Sequence, residues 1–198
     1  AASDVYKRQG LFCGVIAFLI GKIALGLRSD YLAIATLGIS EIIIYIIKNE
    51  EWLARGVKNV NGLPRPVPYE IDLQKNEFIQ TLSNTLNLSV IELSSLIVKG
   101  LYSILFILVL LTIFFLLQKA IKSPWGRMMR AVRDNEISAE AMGINVKKRH
   151  LQVFIIGSAI IGISGAMLTT LDGQFTPSSY QPLRYTFLIW IMVIIGGS

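Results

Sequence analysis

Residues 126–145 read GRMMRAVRDNEISAEAMGIN, a polar stretch set between two strongly apolar segments. Arg127, Arg130 and Arg133 recur at helical spacing, and Lys147, Lys148 and Arg149 follow close behind. Ser123-Pro124 supplies the start of a first short helix: a serine hydroxyl accepts an orphan N–H, and proline at the first helical position has no N–H to leave unpaired. Asp134, Asn135 and Glu136 interrupt the basic run and cap a second helix. Gly143 stands where that helix stops, because glycine accepts the left-handed conformation at little cost. The stretch therefore predicts two short helices on a membrane surface, joined at Asp134-Asn135. An ordinary connection between spans needs no such capping, whereas a docking platform for another subunit does.

The flanks explain why a membrane is invoked. The chain has 198 residues, 53% hydrophobic and 16% charged, with a mean hydropathy of +0.58, where a soluble domain carries about a quarter charged residues. The apolar residues come in blocks, the pattern of membrane spans. The net charge of +6 does not form a basic stripe interleaved with aromatics, so no nucleic-acid partner is expected. Cys13 is the only cysteine and His150 the only histidine, which leaves no intrachain disulfide and no histidine-based metal site. No GxxxxGK[ST] phosphate loop and no nucleophile–base pair occur, so the chain is expected to be neither an ATPase nor another enzyme.

The pattern predicts an all-α polytopic bundle with spans at about 10–27, 31–47, 101–117 and 151–171, and a fifth beginning at 186–198. Gly10 and Gly14 form a GxxxG pair that Gly21 extends, and Ser158, Gly162 and Ala166 recur every four residues beside Gly165; such stripes let helices approach closely. Lys22 lies near a span end, where it snorkels to the headgroups. Arg28-Ser29-Asp30 forms a tight turn into the second span, which is short enough to be broken or tilted. Glu41 lies well inside that span, near Thr36, Gly38 and Ser40. A carboxylate there must face protein or a water-filled path, so a translocation-path residue and a helix-packing carboxylate both remain open. Residues 61–68 are turn-rich and proline-stiffened, and 82–96 predicts an interfacial helix. Residues 1–9, AASDVYKRQ, differ abruptly from the rest and read as a non-native, sequencing-adaptor leader. Residues 10–198 are expected to form a single transmembrane domain, a fragment truncated at both ends. Residues 118–150 hold eight basic against three acidic side chains, and 48–99 hold six of each. The excess of positive charge on the inner side of membrane proteins assigns the former to the cytoplasm and the latter to the exterior.

Two stretches carry a resemblance. Residues 27–42, LRSDYLAIATLGISEI, and 123–145, SPWGRMMRAVRDNEISAEAMGIN, followed by Gly162–Ala166, resemble the membrane permease of ATP-driven branched-chain amino-acid importers, and within that group the LivM type. Gly196-Gly197-Ser198 is similar to the start of that family's glycine-rich segment. Ser29 stands where the family often has glycine, Asn59-Val60-Asn61-Gly62 keeps only the end of a glycine-rich turn, and the 64–99 insert is idiosyncratic. The resemblance implies a multi-pass subunit of a bacterial or archaeal cytoplasmic membrane that translocates leucine, isoleucine or valine. Residues 135–143 would be its cytoplasmic coupling helix, with Arg130, Arg133, Glu136, Ala139, Glu140, Ala141 and Gly143 docking in a cleft of an ATP-hydrolysing subunit. The implied partners are two ATP-binding cassette subunits, which hold the ATP and Mg, a second homologous permease, an external solute-binding protein and membrane lipid. No cofactor is implied for this chain. Related permeases carry urea or short amides, and a secondary transporter or channel independent of ATP, or a purely structural membrane subunit, are the competing classes. For the short helices themselves, anionic lipid is the competing contact.

Overall fold

The computed structural model describes residues 2–27, 29–54, 58, 60–86, 88–177 and 182–196. Arg28, Asn59 and Gly197-Ser198, singled out above, lie outside them. The described chain is almost entirely helical: α1 (Ala2–Ala24), α2 (Ser29–Asn49), α3 (Glu51–Ala54), β1 (Val60–Asn61), α4 (Glu70–Gln74), α5 (Glu77–Leu86), α6 (Val90–Lys122), α7 (Pro124–Asp134), α8 (Glu136–Ala141), α9 (Val146–Asp172), β2 (Gln174–Phe175) and α10 (Pro182–Gly196). Among the described residues α6 and α9 are long and apolar enough to cross a membrane.

Helix α6 departs from the expected span. It begins with a capping box in which the Ser89 hydroxyl accepts from Glu92 N and the Glu92 carboxylate accepts from Ser89 N, and it runs 33 residues. At 1.5 Å per residue that is about 50 Å, against about 30 Å of hydrocarbon. Its buried residues, Leu93, Ser94, Val98 and Tyr102, all lie in the first four turns. Beyond them Ile107, Leu108, Leu111, Phe114 and Phe115 are exposed, an apolar surface suited to lipid or to another membrane helix and not to water. The single interfacial helix expected at 82–96 is divided instead. Helix α5 ends at Leu86, and Ser89 caps a new helix at Val90, because a serine with glutamate three residues on makes a stronger start signal than the apolar pattern makes a continuation.

Helices α1 and α9 lie antiparallel along their lengths. Tyr6 Oη is 2.9 Å from Thr170 Oγ1 at one end, and Gly21 faces Leu151 at the other. Glycine makes this approach possible: a methyl group at Gly162 would lie 2.6 Å from Cys13 Sγ, and one at Gly10 2.9 Å from Ile163 Cγ1. Helix α1 starts at Ala2 rather than near residue 10, so residues 2–9 continue the same helix, and it ends at Ala24. Helix α2 is unbroken over 21 residues, although its apolar run alone is shorter.

The polar segments sort to opposite ends. Helices α7 and α8 join α6 to α9 at one end. At the other, β1 pairs antiparallel with β2, Val60 opposite Phe175 and Asn61 opposite Gln174, so the 48–99 segment expected outside meets the residues that follow α9. Arg65 fixes this end. Its side chain, only 8% exposed, donates to the Leu171 carbonyl at 3.1 Å and to Glu70 at 3.3 Å, and stacks 4.6 Å over Tyr69. A cation at the carbonyl end of α9 also complements the helix dipole. Tyr102 Oη donates to the neighbouring Thr170 carbonyl at 2.9 Å.

Gly162→Ala, measured as the thermal unfolding midpoint of the purified full-length protein in detergent, should cost about 1–3 kcal/mol by wedging α1 from α9. Gly157 meets nothing within 4 Å, so Gly157→Ala should be neutral or slightly stabilising on helix propensity alone. Equal effects at both positions would refute the close-packing account.

Candidate functional site

Three successive caps build the helical hairpin at the basic end. The Ser123 hydroxyl accepts from Gly126 N with Pro124 at the first helical position, and the turn from α6 into α7 is so tight that a Cβ on Gly126 would run into the Ile121 carbonyl. Asn135 Oδ1 accepts from Ser138 N at 2.9 Å and starts α8. Helix α8 ends on Gly143, whose φ of +82° lies in the left-handed region. Gly143 N donates to the Glu140 carbonyl at 2.9 Å and Ile144 N to the Ala139 carbonyl at 3.0 Å, which satisfies carbonyls the helix end would otherwise orphan. Asn145 Oδ1 then accepts from Lys148 N at 2.9 Å and opens α9.

A small apolar nucleus holds the pieces together. Val132 of α7, Ala139 of α8 and Val146 of α9 are buried against one another with Ile144 packed beside them. Ala139 therefore faces inward, where a larger side chain would push α8 off α7 and α9. Polar contacts add to this: His150 Nε2 lies 3.5 Å from Glu136 Oε1, and Gln152 Oε1 accepts from Trp125 Nε1 at 3.1 Å and from Arg149 Nη1 at 3.0 Å.

The outer face is open. Arg127, Arg130, Arg133, Glu136, Glu140, Ala141 and Gly143 are exposed. Arg133 pairs with the adjacent Asp134 at 3.2 Å, a surface contact of little energetic weight. Among these polar groups stand Ile137, 82% exposed, and Met142, 84% exposed. These two apolar side chains flank α8 without entering the nucleus, and the sequence reading passed over them. A signal was available for Ile137: two residues from the inward Ala139 on a 3.6-residue helix, it points away, whereas Met142 is the C-cap residue past the end of α8.

The second expected group is not gathered at one place. On α2 the Thr36 and Ser40 hydroxyls donate to the Leu32 and Leu37 carbonyls of their own helix, Gly38 has nothing within 4 Å, and Glu41 is exposed. On α9, Gly162 and Ala166 are buried, and Ser158 is partly buried. Ala166 also lines a cavity of about 570 Å³ at the end opposite the hairpin, together with Ile44, Ile47, Leu63, Thr169 and Phe175. Thr36, Gly38, Ser40 and Glu41 do not line it. Among the described residues no cluster of metal-ligating side chains occurs.

The sequence model of one family, described as "Branched-chain amino acid transport system / permease component", matches residues 9–198. The chain is 29% identical over 191 residues to the high-affinity branched-chain amino acid transport system permease protein LivM of Escherichia coli (strain K12), covering 95% of this chain and 44% of that protein. It is 24% identical over 191 residues to the probable branched-chain amino acid transport permease protein LivM of Methanocaldococcus jannaschii, covering 94% of this chain and 48% of the relative. The chain thus spans under half the length of these curated relatives. No solved structure matches it.

Asn135→Ala should cost the hairpin about 1 kcal/mol, the usual effect of losing such a cap. Hydrogen exchange on the full-length protein in nanodiscs should then quicken at the α8 amides and leave α9 beyond its first turn unaffected; unchanged exchange at Ser138 would remove the cap from the account.

Proposed function

The chain belongs to the permease-component family of branched-chain amino acid transport systems, and from that premise we propose that it is a multi-pass transport subunit of a cytoplasmic membrane. It imports leucine, isoleucine or valine by alternating access, driven by ATP hydrolysed on separate subunits. A second permease completes the path, and an external solute-binding protein delivers the solute at the end where β1 and β2 meet.

The observation that carries this reading is the exposed, capped hairpin. It is rigidly built, faces away from the rest of the chain, and stands in the segment with eight basic against three acidic residues, the charge balance of a cytoplasmic loop. Exposed Ile137 and Met142 supply apolar anchors, and the surrounding Arg127, Arg130, Arg133, Glu136 and Glu140 supply a charged rim that sets register. This arrangement of apolar centre and polar rim is that of a protein–protein contact. A role in docking for Ala139 is indirect, since its buried side chain seats α8 against α7 and α9.

Two outcomes test the proposal. Glu140→Lys and Met142→Asp in the full-length permease should each lower co-purification of the ATPase by about tenfold or more, the scale of a lost interfacial anchor, with membrane insertion unchanged. Retention of the ATPase by both variants would sink the docking role. Leucine uptake in vesicles holding the complete complex should collapse on ATP depletion, and import that persists would exclude an ATP-driven machine.

A further inference from the structure

The hairpin and the membrane helices meet at one side-chain amide. Gln152 lies in the second turn of α9, and its Oε1 receives Trp125 Nε1 at 3.1 Å from the first turn of α7 and Arg149 Nη1 at 3.0 Å. An indole N–H and a guanidinium can only donate, so the amide oxygen is the one atom of the glutamine able to satisfy both. Trp125 and Val132 are two helical turns apart and share a face of α7. Val132 meets Val146 at the start of α9, while Trp125 meets Gln152 six residues further on. Helix α7 therefore runs antiparallel to the first turns of α9, tied to it through the buried cluster at one end and by the glutamine at the other. Next to the glutamine, Leu151 fills the space over Gly21: a methyl group there would lie 2.6 Å from Leu151 Cδ1 and 3.1 Å from Phe154 Cδ1. The clasp is thus one residue from the point where α9 grips α1.

We propose that Gln152, the polar one of the few points at which α7 touches α9, is the positioning residue through which displacement of the α7–α8 hairpin is delivered to α9 and, through the glycine contacts, to α1. This rests on the docking reading above, and it adds which helices move. Without the clasp, α7 pivots on the Val132 contact and the motion of the hairpin is dissipated before it reaches the paired helices. Trp125 and Arg149 act on the same amide, and a carboxylate at position 152 accepts both bonds.

The test uses the full-length permease in its complete complex in liposomes, with spin labels at Ser103 on α6 and Ser164 on α9, both exposed. Three quantities are read: ATPase retained on the purified permease, the ATP-induced change in the label distance, and leucine imported per ATP hydrolysed. Gln152→Ala and Trp125→Phe, which keeps the ring and removes the donor, should retain the ATPase within about twofold. Both should lose the distance change and about tenfold in leucine per ATP, the scale of one lost hydrogen bond with its partner left unsatisfied. Gln152→Glu should restore both. A Gln152→Ala variant that moves and transports normally overturns the inference, as does one that loses ATPase in proportion to transport, since the glutamine would then only support the docking surface. Should the unsubstituted permease retain no ATPase, the docking reading fails and takes this inference with it, a result distinct from the other two.

Discussion

The contact of Val132, Ala139 and Val146 is the constraint on which the basic end depends. Helix α8 has six residues, far below the length at which a helix is stable alone in water. It exists because its ends are capped and because one alanine is small enough to bring three helices within contact distance. Removing that contact would leave the caps with nothing to orient, and the exposed side chains would lose their fixed spacing. The hairpin is thus a rigid device made from weak parts, which suits a surface that must transmit displacement instead of absorbing it.

The same logic, with glycine in place of alanine, governs the α1–α9 pair. Lipid tails give no hydrophobic reward for bringing apolar helices together, so association rests on close packing. Gly10, Gly14 and Gly21 on α1 and Gly162 on α9 form that seam. Along α6, by contrast, the apolar side chains past Tyr102 stay open. The chain therefore has a tightly joined helical pair and a separate column with an open apolar surface, linked at one end through the hairpin and at the other by Tyr102 and Arg65.

Much of this was legible in the sequence because capping is local chemistry. Ser123-Pro124, Asn135 and Gly143 announce helix ends through their own side chains and backbone preferences, and each stands where the spacing put it. The small-residue stripes announced a close-packed face but not its partner, since Gly162 carries no mark that Cys13 will lie against it. Trp125 and Gln152 are 27 residues apart and neither belongs to a local pattern, so their bond could not be read in advance. Sequence periodicity also misjudged 82–96, where a capping signal at Ser89 outweighs an apolar run. Glu41 shows the opposite limit: a carboxylate in an apolar helix draws notice from composition alone, yet its surroundings depend on what packs against the open face of α2.

The excess length of α6 shapes the opposite end. Val98 and Tyr102 are buried against Val67, Leu73 of α4 and Leu171 at the end of α9, so the outer segment packs around a post that α6 itself supplies. In evolutionary terms the outer cap and the first turns of α6 form one heritable cassette: recombination that exchanged the loop and left the post behind would strand Val67 and Leu73 without the Val98 and Tyr102 they pack on, whereas exchange of the two together would carry that packing from one lineage to another.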